Sequence, residues 1–462
     1  MRKPKVGLLP LYLELYDKTC SDMRSGIDAF YHVIRDSLKQ RGLDVITAPI
    51  CRVKSEFRAA TNRFEKNDVD AVITLHLAYS PSLESSDTLA ATKLPVIVLD
   101  TTPAYAFGPN QDPDKIMYNH GIHGVQDMCN LMIRHKKSFK IEAGHWQKSD
   151  VLNRVVAWAH SAGIASTMRK MRVGLIGKPF HGMGDFAVSS KVLQQTIGTV
   201  TVPCIPQSFR ELASTIKKSE VESEIRSNRK QFITKGLAAE THRRSVCVGL
   251  SVRSWMKKEK LMAFTVNFLS VDKASGLLTV PFLEASLAMA RGLGYAGEGD
   301  ILTASLVGAL ASVYPDTTFT EMFCPDWQNN RIFLSHMGEM NVRLTAGKPV
   351  LCTPPFPFTN VPDPVRVAGR LRAGKVVLVN LAPIPAKKYR LIVVSGTMMD
   401  VKGKDRMKNT VRGWFKPQIP IADFLAEYSR LGATHHSALV YGNYAREIVG
   451  FGNFMEWETI VL

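Results

Sequence analysis

Short runs of consecutive apolar residues alternate with helical patterns through the first part of the chain, and this order restricts the fold more than any other feature. Val6–Leu9, Asp44–Ala48, Ala71–Leu77 and Pro95–Leu99 read as buried strands. Between the first two, Ile27, Phe30, Val33, Ile34 and Leu38 recur at helical spacing over Met23–Arg41, and Gly42 is placed to stop that helix. Strand, helix, strand, helix implies a parallel sheet wrapped by helices. A second unit of the same plan opens at Arg172–Gly177, a strand ending in a glycine-containing loop over residues 178–185. Thr199–Ile205 and Leu261–Phe268 read as further strands, with one long charged helical stretch over Ser208–Lys235 between them. The helix Phe282–Arg291 then runs into a glycine-rich turn at Glu298, and Leu302–Val313 resumes helical periodicity.

After Thr318 the texture changes. Arg331–Ser335, Lys375–Leu381, Tyr389–Ser395 and Ser437–Tyr441 are short β-rich runs separated by loops such as the proline-rich Cys352–Pro357. Such runs predict a mostly antiparallel barrel or sandwich. A chain of 462 residues exceeds one ordinary core. The expected domains are therefore 1–170 and 171–318, both α/β, and 319–462, mostly β.

Bulk properties exclude several classes. Hydrophobic content of 45% and charged content of 22% are those of a soluble globular protein. Arg2, Lys3 and Lys5 before an apolar run imitate a secretion signal, but Pro10, Glu14 and Asp17 interrupt it and no small-residue cleavage site follows. The apolar stretch Ile301–Pro315 is too short to span a bilayer. A cytoplasmic protein without a membrane anchor is expected. Seven cysteines form no CxxC pair, which argues against a zinc knuckle or a disulfide framework. The net charge of +18 is spread over clusters interleaved with acids, without an aromatic-studded basic stripe. A basic solvated surface is expected, not a nucleic-acid partner.

The chemistry concentrates between Gly292 and Met340. The run Gly-Leu-Gly-Tyr-Ala-Gly-Glu-Gly-Asp at 292–300 places Glu298 between glycines that permit a tight turn and close backbone approach. Glu321 follows in Thr-Glu-Met-Phe and His336 in Leu-Ser-His-Met, both within strand-like runs where a charged group is costly to bury unless paired or metal-bound. Gly-Ala-Thr-His-His at 432–436 offers a fourth ligand; on a strand, only one of His435 and His436 can face a common site. Two glutamates and two histidines make a site for a divalent cation that leaves positions for a substrate.

In these residues the chain resembles the bacterial L-arabinose isomerase family, and more distantly the L-fucose isomerases. Asn119–Gly124 (Asn-His-Gly-Ile-His-Gly), Gly144–Gln147 (Gly-His-Trp-Gln), Ala263–Phe268, Gly294–Asp300, His336–Met337 and Thr434–His436 follow in the family's order. The resemblance implies two Rossmann-like parallel-sheet domains followed by a C-terminal β-barrel. It implies that Glu298, Glu321, His336 and His436 hold Mn²⁺, with Co²⁺ or Mg²⁺ as alternatives, and that the two glutamates also act as acid and base. It assigns Met183 and Phe268 to the sugar pocket. Tyr79 and His123 match positions lent to a neighbouring subunit in a homotrimer or homohexamer. Departures from the family pattern are Met322 in place of an acid, Ile301-Leu302 in place of Trp-Lys, Leu13 in place of a polar residue, and Met340-Asn341 in place of an apolar-Cys-Pro continuation.

The expected reaction interconverts an aldose and a ketose, most simply L-arabinose and L-ribulose. A proton moves between C1 and C2 through a cis-enediolate, with carboxylates as acid and base. An isomerase for another aldose, of the L-fucose or D-galactose type, and a sugar-binding protein without catalysis are the competing readings.

Overall fold

A computed structural model describes residues 2–462, which divide into two units, Arg2–Ser166 and Thr167–Leu462. In the first, five strands form an all-parallel sheet: β1 (Lys5–Leu11), β2 (Asp44–Thr47), β3 (Ala71–His76), β4 (Val96–Asp100) and β5 (Phe139–Ala143), in the order β2-β1-β3-β4-β5. β3 is buried along its whole length, which is why it reads as continuous apolar sequence and not as an alternating pattern. The helix Arg24–Gln40 buries Ile27, Phe30, Ile34 and Leu38 as its spacing predicts, but Tyr31 completes the face and Val33 is left exposed. Leu9, Phe57, Phe64, Val72, Val96 and Met128 are among the residues of this unit's core. Gly7 is required on β1, because a Cβ there would meet the Phe64 ring at 2.5 Å.

The second unit contains another all-parallel sheet and a barrel. β6 (Arg172–Ile176), β7 (Val200–Pro203), β8 (Ala263–Val266) and β9 (Gly294–Gly297) run in the order β7-β6-β8-β9. The glycine-rich turn expected at Glu298 forms at Glu298 and Gly299, and the glycines just ahead of it belong to β9. Its four residues are fully buried strand, and Gly294 and Gly297 serve close packing there. A Cβ on Gly294 would enter the backbone of Ala304 and Gly308 on the helix Ile301–Val313. The single helix expected over 208–235 is two, Pro206–Ser214 and Lys218–Gln231. Ser214 and Thr215 turn their hydroxyls back onto Glu211 and Leu212 carbonyls, and the Glu220 carboxylate accepts from the Lys217 N–H at 2.8 Å to start the second helix.

The remaining strands are β10 (Thr317–Asp326), β11 (Arg331–Ser335), β12 (Val350–Cys352), β13 (Arg366–Arg370), β14 (Gly374–Ile384), β15 (Lys388–Met398), β16 (Val411–Pro417), β17 (His436–Tyr441) and β18 (Glu458–Val461). Six of them close on themselves as β16-β11-β10-β17-β14-β15, with β15 pairing back to β16 and every ladder antiparallel. Of the barrel and sandwich alternatives, the barrel forms. Leu334, Leu378, Val394, Met398, Phe415 and Leu439 belong to its core. The architecture is thus two parallel-sheet α/β layers followed by an antiparallel barrel. Among the described residues no helix is long and apolar enough to cross a membrane, and all seven cysteines are free.

Candidate metal centre

Parallel sheets bind ligands at the carboxyl ends of their strands, where loops leave the sheet and backbone groups are unpaired. The second sheet follows this rule. The loop after β6 carries Met183, Asp185 and Phe186, the turn after β8 carries Phe268, and the turn after β9 carries Glu298 and Asp300. The barrel supplies the rest: Glu321 on β10, His336 and Glu339 just beyond β11, and His435 and His436 where β17 begins.

The Glu298 turn is tightly held. Glu298 has φ 63° and Gly299 φ 83°, so two successive residues occupy the left-handed region. The Glu298 N–H donates to the Val266 carbonyl at 2.8 Å, and its carbonyl accepts from the Phe180 N–H at 2.9 Å. Thr265 completes the clamp by accepting from the Gly299 N–H at 3.0 Å and donating to the Gly297 carbonyl at 3.2 Å. Gly297 has a direct role, since a Cβ there would lie 3.0 Å from Cε1 of His336. Strain of this kind persists only where surrounding contacts over-determine it.

Register does the same for the barrel residues. Glu321 on β10 is the direct cross-strand partner of His436 on β17, so both side chains leave the same face of the barrel wall. The segment before β17 is fixed by Asn380, whose side-chain amide donates to the Thr434 and His436 carbonyls at 2.9 and 2.7 Å while accepting from the Thr434 N–H at 3.1 Å. Phe186 stacks on the His436 ring, 5.0 Å between centroids and 9° from parallel.

Nε2 of His436 lies 2.8 Å from a Glu321 oxygen and 3.4 Å from a Glu298 oxygen. Nε2 of His336 lies 3.5 Å from the same Glu321 oxygen. Nε2 of His435 lies 3.8 Å from Glu298 and 3.9 Å from Glu321. The expectation that only one of the adjacent histidines could face the site is therefore corrected. His435 sits in the bend ahead of β17, so strand alternation does not constrain it. Ligand atoms of Glu298, Glu321, His435 and His436 all lie within 4.8 Å of one another. His336 lies outside this group of four and meets it through Glu321 at 3.5 Å.

Each imidazole turns its other nitrogen to a carboxylate. Nδ1 of His436 meets Asp300 at 2.9 Å, Nδ1 of His336 meets Glu339 at 2.8 Å, and Nδ1 of His435 meets Asp185 at 2.6 Å. Glu339 is itself held by the Tyr295 hydroxyl at 2.8 Å. Carboxylates in this position fix the ring tautomer so that Nε2 presents a lone pair to a metal. Asp185, Asp300 and Glu339 are not among the residues that stand out by type in the sequence. Two of them sit within three residues of a candidate ligand, and that proximity was the available signal.

Electrostatics agree with a cation site. Burial pushes the Glu298 carboxyl up, but His435 and His436 outweigh it and hold the group down at about 2. Glu321 is likewise raised by burial and lowered further by His336 and His436. His336 is lowered by burial, yet Glu339 and Glu321 bring it up to about 10. Glu298 Oε2 and His436 Nε2 are buried, and although His436 Nε2 lies within 3.4 Å of both glutamates, neither atom makes a well-aligned hydrogen bond. Donors around one octahedral ion with bonds of about 2.1 Å stand about 3 Å apart in cis and about 4.2 Å in trans. The cluster fits a divalent ion on spacing, donor type and unsatisfied atoms.

Of the other expected site residues, Met183 is half-buried on the loop after β6, two residues before Asp185. Phe268 packs in an aromatic group with Phe180, Phe356 and Phe358 at centroid distances of 5.8, 5.5 and 5.9 Å. Tyr79 and His123 belong to the first unit. There the Tyr79 hydroxyl donates to Asp127 at 3.4 Å, and the His123 ring lies 5.7 Å from that of His120.

Comparison with known proteins agrees with this geometry. The L-arabinose isomerase central-domain profile matches residues 191–314, and the C-terminal-domain profile matches residues 316–458. L-arabinose isomerase of Herpetosiphon aurantiacus is 25% identical over 367 residues, 76% of this chain and 71% of that protein. The enzyme of the same name from Anoxybacillus flavithermus is 23% identical over 368 residues, 76% of this chain and 71% of its own length. That from Shouchella clausii is 22% identical over 467 residues, 99% of this chain and 93% of the relative. With both profiles matched in succession over the sheet and barrel that carry the cluster, the chain belongs to the L-arabinose isomerase family.

Proposed function

We propose that the protein is a divalent-metal-dependent aldose–ketose isomerase that converts L-arabinose to L-ribulose. One observation carries the reading. Two carboxylates, Glu298 and Glu321, face each other across imidazoles whose far nitrogens are all anchored by acids. Glu298, Glu321, His336 and His436 are the proposed ligands, and the position of His435 makes it a further candidate. Oxygen and imidazole donors suit Mn²⁺ first, with Co²⁺ or Mg²⁺ able to substitute. A bound ion there would stabilise negative charge on the sugar's O1 and O2 as the carbon-bound proton leaves.

The chain's own groups do the remaining work. One of the two glutamates takes the C2 proton and returns it to C1, and the other exchanges protons with the sugar oxygens, so that the sugar passes through a cis-enediolate. Both carboxyls are held below the ordinary carboxylate value, so both are ionised when the sugar binds. Met183 and Phe268 are proposed to line the sugar pocket and exclude water. Tyr79 and His123 are proposed to serve a neighbouring subunit's site in a homotrimer or homohexamer. Seven free thiols suit a reducing, cytoplasmic setting.

The test is to dialyse the protein against a chelator, restore single cations and screen pentoses and hexoses with a ketose-specific readout. L-Arabinose should give the highest kcat/KM, with Mn²⁺ the best restoring ion. Ketose formation from every aldose except L-arabinose would reassign the substrate. No ketose from any sugar with any ion would overturn the reading.

A further inference from the structure

We infer that a hollow on the face formed by the helices Pro206–Ser214 and Ala239–Lys258 is a second ligand site, which takes a small organic anion with an apolar body. The hollow encloses about 470 Å³, within the range of small-molecule sites. Leu277, Leu278 and Val361 give it apolar walls, and Arg210, Arg244 and Lys273 bring three cations to it. Among the described residues no carboxylate lines it, and no ion pair within 4.0 Å is formed by Arg210, Arg244 or Lys273. The contrast with neighbouring residues is direct. Arg243 pairs with Glu222 at 2.6 Å, while the adjacent Arg244 faces the hollow. Asp272, the acid beside Lys273, spends one oxygen on the Ser275 N–H at 2.8 Å.

The walls are built and held. Arg210 donates to the Ala274 carbonyl at 3.0 Å, which fixes the turn bearing Lys273 against its helix. Thr279 donates to the Pro362 carbonyl at 2.8 Å, which joins the two loops that form the opposite side. Leu278 nevertheless remains 61% exposed at the mouth, an apolar group with nothing packed over it. Three cations line the hollow with no carboxylate among its walls, and the exposed leucine beside them stays wet. An anion with a hydrocarbon or aromatic body relieves both conditions at once. A simple inorganic anion would relieve only the first, and a neutral sugar neither. The inference is independent of the isomerase reading.

The probe is 1-anilinonaphthalene-8-sulfonate, with its fluorescence followed on titration into the full-length protein and neutral N-phenyl-1-naphthylamine as the uncharged comparison. The sulfonate should saturate at one per chain, bind more tightly than the neutral compound, and weaken by at least about ten-fold in the Arg244→Ala/Lys273→Ala double variant. The Arg244→Lys/Lys273→Arg exchange should retain binding. Lys273→Ala alone, on an exposed turn, supplies the same comparison should the double variant not fold. Unchanged sulfonate affinity in the alanine variants, or equal affinity for the neutral compound, would overturn the proposal.

Discussion

Asp300 holds the Thr303 N–H with one oxygen at 2.8 Å and Nδ1 of His436 with the other at 2.9 Å. A single carboxylate thus caps the helix Ile301–Val313 and orients an imidazole on the barrel. The two roles can be separated. Asparagine caps a helix about as well as aspartate, but its amide would donate toward Nδ1 and force the proton of the ring onto Nε2. Asp300→Asn should keep thermal stability within about 0.5 kcal/mol of the parent and weaken metal binding by about 10- to 100-fold. Asp300→Ala should lose the metal and in addition about 1 kcal/mol of stability. Calorimetric titration with Mn²⁺ and a urea denaturation series measure both quantities, and equal stability losses in the two variants would remove the double role.

Removing the ion should remove the reaction and loosen the fold. Chelator-treated protein is expected to melt lower and to recover with added Mn²⁺ in a concentration-dependent way, because a ligand of the native state stabilises by mass action. Glu298→Gln and Glu321→Gln should each abolish turnover while leaving the circular-dichroism spectrum of the parent. His436→Asn should cost more metal affinity than His435→Asn, since His436 is fully buried and its Nε2 is closer to both glutamates. The reverse order in a Mn²⁺ titration would make His435 the stronger ligand.

Glu284 offers a stability test away from the reaction. Its carboxylate is 1% exposed and bridges Arg253 at 2.9 Å and Arg291. Glu284→Gln leaves both guanidinium groups without their shared acid; the arginine side chains are 33% and 35% exposed, so water takes up part of the loss and the cost is about 1–3 kcal/mol. Arg253 keeps Glu224 at 2.9 Å, which places the outcome at the lower end of that range. A urea midpoint matching the parent's would show that the charge was not needed.

His76 predicts an acid-sensitive first unit. It is fully buried with both ring nitrogens unpaired, and burial, opposed only in part by Asp127, lowers it from 6.5 to about 3. The unfolded chain therefore takes up this proton first as pH falls. The contribution of neutral His76 is complete above pH 6.5 and is lost at about 1.4 kcal/mol per pH unit on descending toward pH 3. His76→Leu should flatten that part of the stability profile, measured as urea midpoint against pH. An unchanged slope would assign the acid sensitivity to other groups.

Much of this architecture was legible in the sequence, for a physical reason. Strands buried on both faces, such as β3, are written as unbroken apolar runs, and the helix Arg24–Gln40 carries its inner face at regular spacing. β9 was not legible, because glycine is the turn residue by default and its packing role depends on a helix that follows it in sequence. The break between Ser214 and Lys218 was also hidden, since nothing there is a proline or glycine and the stop comes from side chains bonding back to local carbonyls. At the site, Glu298, Glu321 and the two histidine segments stood out by residue type. The acids behind the imidazoles did not, because which carboxylate reaches which nitrogen is decided only when β9, β11 and β17 converge.

The pairing of Glu321 with His436 also sets how little sliding the barrel tolerates. Side chains alternate along a strand, so moving β10 by a single step against β17 would swing Glu321 to the opposite side of the wall. The irregularity in β10 falls between Met322 and Cys324, just past that glutamate, where an extra residue can be absorbed without disturbing the strand before it. Length changes in the β10–β11 hairpin should therefore be tolerated beyond the bulge, whereas one residue added or removed between Thr317 and Glu321 should silence the enzyme in an otherwise folded protein.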